Sequence, residues 1–211
     1  MGPTDGVPGP KPAKPRLLQD GRDMFWSLIP LLIACVALAA MVGQCSFQPK
    51  GPAEGSVPGF DVPLALHADA QALPFPVRMP ALPEGWRANS GARGSIEQGR
   101  TDAAGKRVSA LTSRVGYLAP SKMYVSLTQS DADESALVQS IQPNVYPSGT
   151  QDVGGVKWIV YRGGDGSEPV WTTRLDSTAG PAQLAITGAA GEADFRTLAS
   201  ATQTQAPLPR N

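Results

Sequence analysis

Hydrophobic and polar positions change their rhythm along the chain. From Met24 to Gly43 the sequence reads MFWSLIPLLIACVALAAMVG, twenty positions without a charge. At about 1.5 Å rise per residue, such a helix spans about 30 Å, the thickness of a bilayer's hydrocarbon layer. Pro30 falls in its second turn, where it bends a helix without ending the span. Phe25 and Trp26 stand at the amino end, where aromatic rings favour the headgroup level.

From Leu64 onward, apolar residues recur at the periods of strands and amphipathic helices. The spacing predicts a helix over Leu64–Leu73, carrying His67, and then a short edge strand over Pro76–Pro80, whose prolines exclude a central position. A strand at Trp86–Ser90 follows the turn Leu82-Pro83-Glu84-Gly85. Over Arg107–Tyr117, alternation puts Leu111, Ser113, Val115 and Tyr117 on one face. Over Lys122–Thr128 it does the same for Met123, Val125 and Leu127, with Ala119-Pro120-Ser121 as a hairpin turn. Asp131 and Glu134 have the spacing of a capping box, so a helix is expected there, with Leu137, Val138 and Ile141 inward and Pro143 as its stop. A calcium loop does not fit those acidic residues, because Ala136 and Gln142 occupy the places that need glycine and a bidentate glutamate. Three strands follow, marked by Val156/Trp158/Val160, Trp171/Thr173/Leu175 and Leu184/Ile186. The turns between them are Gly163–Gly166 and Thr178–Pro181. Phe195, Leu198, Ala199 and Thr202 then repeat at helical spacing over Glu192–Ala201. The expected class is α+β: an antiparallel sheet of about six strands with two or three packed helices, preceded by one transmembrane helix.

Composition changes this picture at the ends. Glycine and proline number 23 and 21 of 211 residues, concentrated in part before the domain. Residues 1–23 hold five prolines and no apolar run, which predicts a disordered cytoplasmic leader. Residues 44–63 read as a Pro/Gly-rich tether, 64–203 as the extracytoplasmic domain and 204–211 as a disordered tail. Four basic residues precede the apolar span and only Lys50 lies in the thirty after it, so the amino terminus is expected in the cytoplasm and the domain outside the cell membrane. Two other readings of the span stand beside a retained anchor. Cleavage after Ala37-Leu38-Ala39 would release the domain, and lipidation would use Cys45, although Gln44 before it is not small. Cys35 and Cys45 stand ten residues apart, about 15 Å along a continuous helix and beyond disulfide reach. Cys45 therefore enters as a free thiol or as a bridge to its copy in a homodimer.

Charge and motifs exclude more than they assign. Eighteen basic and eighteen acidic residues balance, which argues against a nucleic-acid partner. His67 is the one histidine, and no G-x-S-x-G, S-x-x-K or G-x-x-x-x-G-K-[ST] occurs, so neither a serine nucleophile nor a phosphate loop is expected. One histidine and two distant cysteines do not make a zinc site, and no cofactor or metal is expected. Carboxylates remain, with Glu84, Glu97 and Asp176 the ones least explained as caps. Trp86, Trp158 and Trp171 stand as ligand or partner contacts, against the plainer reading that they fill the core of a small sheet domain.

After the anchor and the tether comes a series of short motifs in order. These are Val77–Pro80 before Leu82–Trp86, Gly116-Tyr117-Leu118-Ala119-Pro120, Val153-Gly154-Gly155-Val156-Lys157-Trp158, and Ile186-Thr187-Gly188 before the last helix. In this order and spacing the chain resembles the domain of unknown function 4245 family, over nearly all of residues 16–203. The resemblance implies a single-pass membrane protein of an actinobacterial cell envelope and brings no activity or catalytic residue with it. The functional expectation is a membrane-anchored extracytoplasmic binding or interaction module, not an enzyme. It meets the lipid bilayer through Met24–Gly43 and an envelope protein through its domain. The alternative is an envelope hydrolase, which requires two carboxylates about 5–9.5 Å apart in a cleft.

Overall fold

The structure, a computed structural model, describes residues 21–41 and 60–210; the expectations for the leader, most of the tether and Cys45 lie outside the described residues. The chain divides into two compact units, Met1–Gly55 and Ser56–Asn211.

In the first unit, α1 is a helix over Gly21–Met41 with Pro30 inside it. Its described side chains are those of Trp26 and residues 28–38, and Cys35 among them is an exposed free thiol. Among the described residues no helix is long and apolar enough to cross a membrane. A helix stands where the apolar span was expected, and a transmembrane helix is not found among the described residues.

The second unit is built on one antiparallel sheet of seven strands rather than six. Its strands are β1 (Arg87–Thr101), β2 (Arg107–Leu118), β3 (Tyr124–Ser130), β4 (Tyr146–Val153), β5 (Val156–Arg162), β6 (Val170–Leu175) and β7 (Ala182–Gly188), and its helices α2 (Val62–Ala72), α3 (Glu134–Ile141) and α4 (Glu192–Gln203). The spatial order is β1-β2-β3-β7-β6-β5-β4, so the last strand of the chain lies between two consecutive meanders.

Register divides the sheet into two faces. Leu127 opposes Ile186 and Val115, and Trp171 opposes Ile186 and Val160. These side chains form the main core with Leu66 and Ala70 of α2, Phe75, Val77, and Phe195 and Leu198 of α4. The opposite face carries a smaller core of Ala110, Val170 and Ala185 under Leu137 and Val138 of α3.

Several expected elements differ. Pro76–Pro80 forms no strand. Gln129 takes both backbone groups of Arg78, donating to its carbonyl and accepting from its N–H at 2.8 Å each. The Val77 carbonyl accepts from Leu208 and the Ala81 N–H donates to Ala201, so no ladder is left to make. β1 runs on from Ser90 to Thr101, and β4 has no counterpart in the sequence reading. Both are edge strands with mostly exposed side chains, so neither shows the alternation that a buried face imposes.

The capping box at Asp131 does not form. Asp131 accepts the Leu111 N–H at 2.7 Å and pairs with Arg100 at 3.0 Å, while Asp133 precedes the helix without a side-chain cap. The domain also begins earlier than Leu64. Asp61 caps α2 through the Leu64 N–H at 3.0 Å, and Phe60 packs against the main core. A Cβ at Gly91 of β1 would overlap the Phe60 ring, so this close entry of the chain needs glycine there. The tail expected to be disordered instead lies along the 71–78 segment. Leu208 packs on the core, Gln71 donates to the Pro209 carbonyl at 3.2 Å, and Arg210 donates to the Leu73 carbonyl. Beneath it the Arg78 guanidinium is buried, donating to the Gln205 carbonyl at 3.2 Å, and burial lowers its pKa.

Candidate functional site

The three tryptophans do not converge. Trp158 on β5 is 0% exposed, and its Nε1 donates to Gln203 Oε1 of α4 at 2.8 Å. Trp171 on β6 lies in the same core, its ring 5.4 Å from that of Phe195 and 5.9 Å from the Arg196 guanidinium carbon. Trp86 is half-buried, with its edge to Tyr117 at 6.4 Å. Of the three, only Trp86 keeps part of its surface open to a ligand or partner. The Tyr117 hydroxyl beneath is buried without a partner among the described residues, and burial pushes its pKa up.

The carboxylates scatter too. Glu84 sits in an exposed turn, and Asp176 is an exposed residue 4.0 Å from Arg174. Glu97 alone enters a groove, of ≈ 460 Å³, where β1 faces α3 and where Asp133 also lies. There β1 bulges between Ile96 and Arg100, with Gln98 at φ 55 and its Oε1 accepting from Arg107 at 3.4 Å. Next to this groove Tyr161 donates to Glu134 Oε1 at 2.6 Å; burial first, and then the carboxylate, push its phenol up to about 12. His67 is exposed on α2, and no group of three metal-ligating side chains occurs among the described residues.

Two further openings flank the sheet. A groove of ≈ 510 Å³ runs along α4 beside Ala81, Pro83 and Val153, walled by Arg196. That guanidinium is already engaged, by Glu192 at 3.1 Å, the Asp152 carbonyl at 2.9 Å and Gln151. The other, ≈ 260 Å³, opens at the β1–β2–β3 corner among Ser90, Gly91, Ala92, Arg114 and Tyr124.

In that corner, register sets Ser90, Gly116 and Ser126 side by side across three strands. Arg114 follows two residues back on the same face, and its Nη2 donates to Ser126 Oγ at 3.2 Å. Tyr124 and Ser90 reach over Gly116 from either side. A Cβ there would stand 2.5 Å from Tyr124 Oη and 2.6 Å from Ser90 Oγ. Sequence reasoning passed over this cluster, because its residues are far apart in the chain and only their pairing unites them. The visible trace was a glycine inside an otherwise regular strand, which marks close approach by another group.

The chain belongs to the family described as Protein of unknown function (DUF4245), whose model matches residues 16–202. No curated protein matches the chain, and no solved structure does.

Proposed function

We propose that this member of the family is a membrane-anchored binding or interaction module of an actinobacterial cell envelope, working without catalysis of its own. Met24–Gly43 is the single anchor, the amino terminus is cytoplasmic, and residues 64–203 stand outside as the module. One observation carries the reading: Leu31, Leu32 and Ile33 of α1 are 61%, 68% and 61% exposed, apolar side chains that water does not favour and lipid does. The charge-free twenty residues and the basic excess before them support the same placement.

Protease added to intact spheroplasts is expected to digest the chain beyond residue 46 and spare the amino terminus; protection of the carboxyl-terminal domain reverses the orientation. Crosslinking in whole cells is expected to capture an envelope protein, or a second copy through Cys45, which Cys45→Ser then abolishes on non-reducing gels.

A second reading has one observation in its favour. Glu97 and Asp133 share the β1–α3 groove, and Asp133 makes no capping bond, so two carboxylates face one opening as an envelope hydrolase requires. Turnover of glycans or esters by the full chain, lost in Glu97→Gln or Asp133→Asn with the fold intact, would establish it.

A further inference from the structure

The corner around Gly116 has the chemistry of an oxyanion site. We infer that Arg114, with the hydroxyls of Ser90 and Tyr124, binds a phosphate group of a small ligand. The inference rests on the reading of the domain as a binding module and names what this part of it binds.

The charge at this corner is that of Arg114. Its guanidinium is exposed, and its one hydrogen bond among the described residues goes to the neutral Ser126 Oγ. None of the four ion pairs among the described residues includes it. The nearest carboxylate on an adjoining cavity is Asp69, which Arg93 and Ser113 Oγ already occupy. No carboxylate lines the ≈ 260 Å³ opening itself, so one fixed positive charge faces it uncancelled.

The hydroxyls complete the donor set. Ser126 Oγ is fully buried and held between Arg114 and the Thr187 carbonyl, so the arginine is positioned from below. Tyr124 Oη and Ser90 Oγ meet above Gly116. The missing side chain at 116 lets the Tyr124 and Ser90 hydroxyls close over the strand where a Cβ would stand, at the wall of the opening. A guanidinium fork flanked by hydroxyl donors suits phosphate, because charged, geometrically fixed donors are stronger than neutral ones. The opening, ≈ 260 Å³, has room for a phosphate monoester or diester head. The phosphate can come from a soluble ester or from a lipid headgroup, and the chemistry of recognition is the same.

The test uses the full chain in lipid nanodiscs, with arginine side chains labelled with nitrogen-15. Glycerol phosphate is titrated against nanodiscs of a phosphate-free galactolipid, and in a second arm phosphatidylglycerol replaces that lipid with no soluble ester added. A saturable shift of the Arg114 Nε resonance in the first arm assigns a soluble ester; a shift in the second assigns a headgroup. Arg114→Gln and Gly116→Ala are each expected to weaken binding about tenfold or more, followed by calorimetry. Gly116→Ala keeps the charge and pushes the Tyr124 and Ser90 hydroxyls away from each other, and circular dichroism checks the fold of both variants. No Arg114 shift in either arm, or unchanged affinity in both variants, overturns the proposal. Partner capture by crosslinking proceeds independently, so loss of the phosphate site and loss of the module's partner are distinguishable.

Discussion

The two faces of one sheet solve opposite problems. Under α2 and α4, side chains from every strand but β1 meet in a closed apolar core, from Val115 and Leu127 to Trp158 and Leu184. On the other face Ser126, Thr128, Ser130, Thr172, Gln183 and Thr187 are buried as well, yet each brings a polar group. Burial there is tolerated because most of those groups are paired. Thr172 Oγ1 donates to the Leu184 carbonyl and accepts from Gln183 Nε2, both at 2.8 Å; Ser130 Oγ donates to the Leu111 carbonyl at 2.7 Å. The first face gains stability from area removed from water. The second gains specificity of register, since a slip of one residue would orphan its hydroxyls.

Substitutions should separate the two. Trp158→Ala empties the first face beside Gln203 and is expected to cost about 3–5 kcal/mol in denaturant unfolding. A near-normal midpoint would remove Trp158 from the core. Thr172→Val keeps volume but leaves the buried Gln183 amide short of an acceptor, at about 1–3 kcal/mol. A cost below 0.5 kcal/mol, the ordinary scatter of about 0.5 kcal/mol for inert sites, would mean that the network is decorative.

The pH dependence engages both faces, with Tyr117 on the first and Tyr161 on the second. Each phenol is raised in the folded state above its ordinary value of about 10. Both therefore contribute stability that is fully present below about pH 10 and lost as pH rises through the folded values, about 12 for Tyr161. Absorbance of tyrosinate against pH should show two late titrations, one of which Tyr161→Phe removes. The smallest effect is expected from Thr128→Val. The Thr128 hydroxyl is buried without a partner among the described residues, so its replacement by a methyl should leave stability unchanged or raise it by up to about 1 kcal/mol. A clear loss would reveal a hidden partner for that hydroxyl.

The sequence was most legible where one face of an element is apolar and the other is not. β2, β3, β5, β6, β7 and α4 all announce themselves this way, because the core demands their period. The edges do not. β1 buries only Gly99 and β4 only Val153, so neither needs hydrophobic alternation, and backbone pairing alone makes them strands. At Pro76–Pro80 the apolar signal was real, since Phe75 and Val77 are core residues, but Gln129 supplies by its side chain what a neighbouring strand would supply by its backbone. The Gly116 corner was illegible for another reason. Its three donors, Ser90, Arg114 and Tyr124, come from three strands, and no local period links Ser90 to Tyr124.

The position of β7 has a consequence for how the protein is made. β1–β3 and β4–β6 are each continuous meanders that form from neighbouring segments, but within the sheet they are joined only by pairing with residues 182–188. A chain delivered from its amino end holds two three-stranded sheets, each with a bare inner edge, until nearly all of it has emerged. Those edges expose unpaired backbone and the Leu127 and Trp171 side chains that β7 later covers, the kind of surface on which one nascent chain pairs with another. A truncation before residue 182 would leave that state permanent, and a chaperone that shields strand edges would matter most during the interval before β7 arrives.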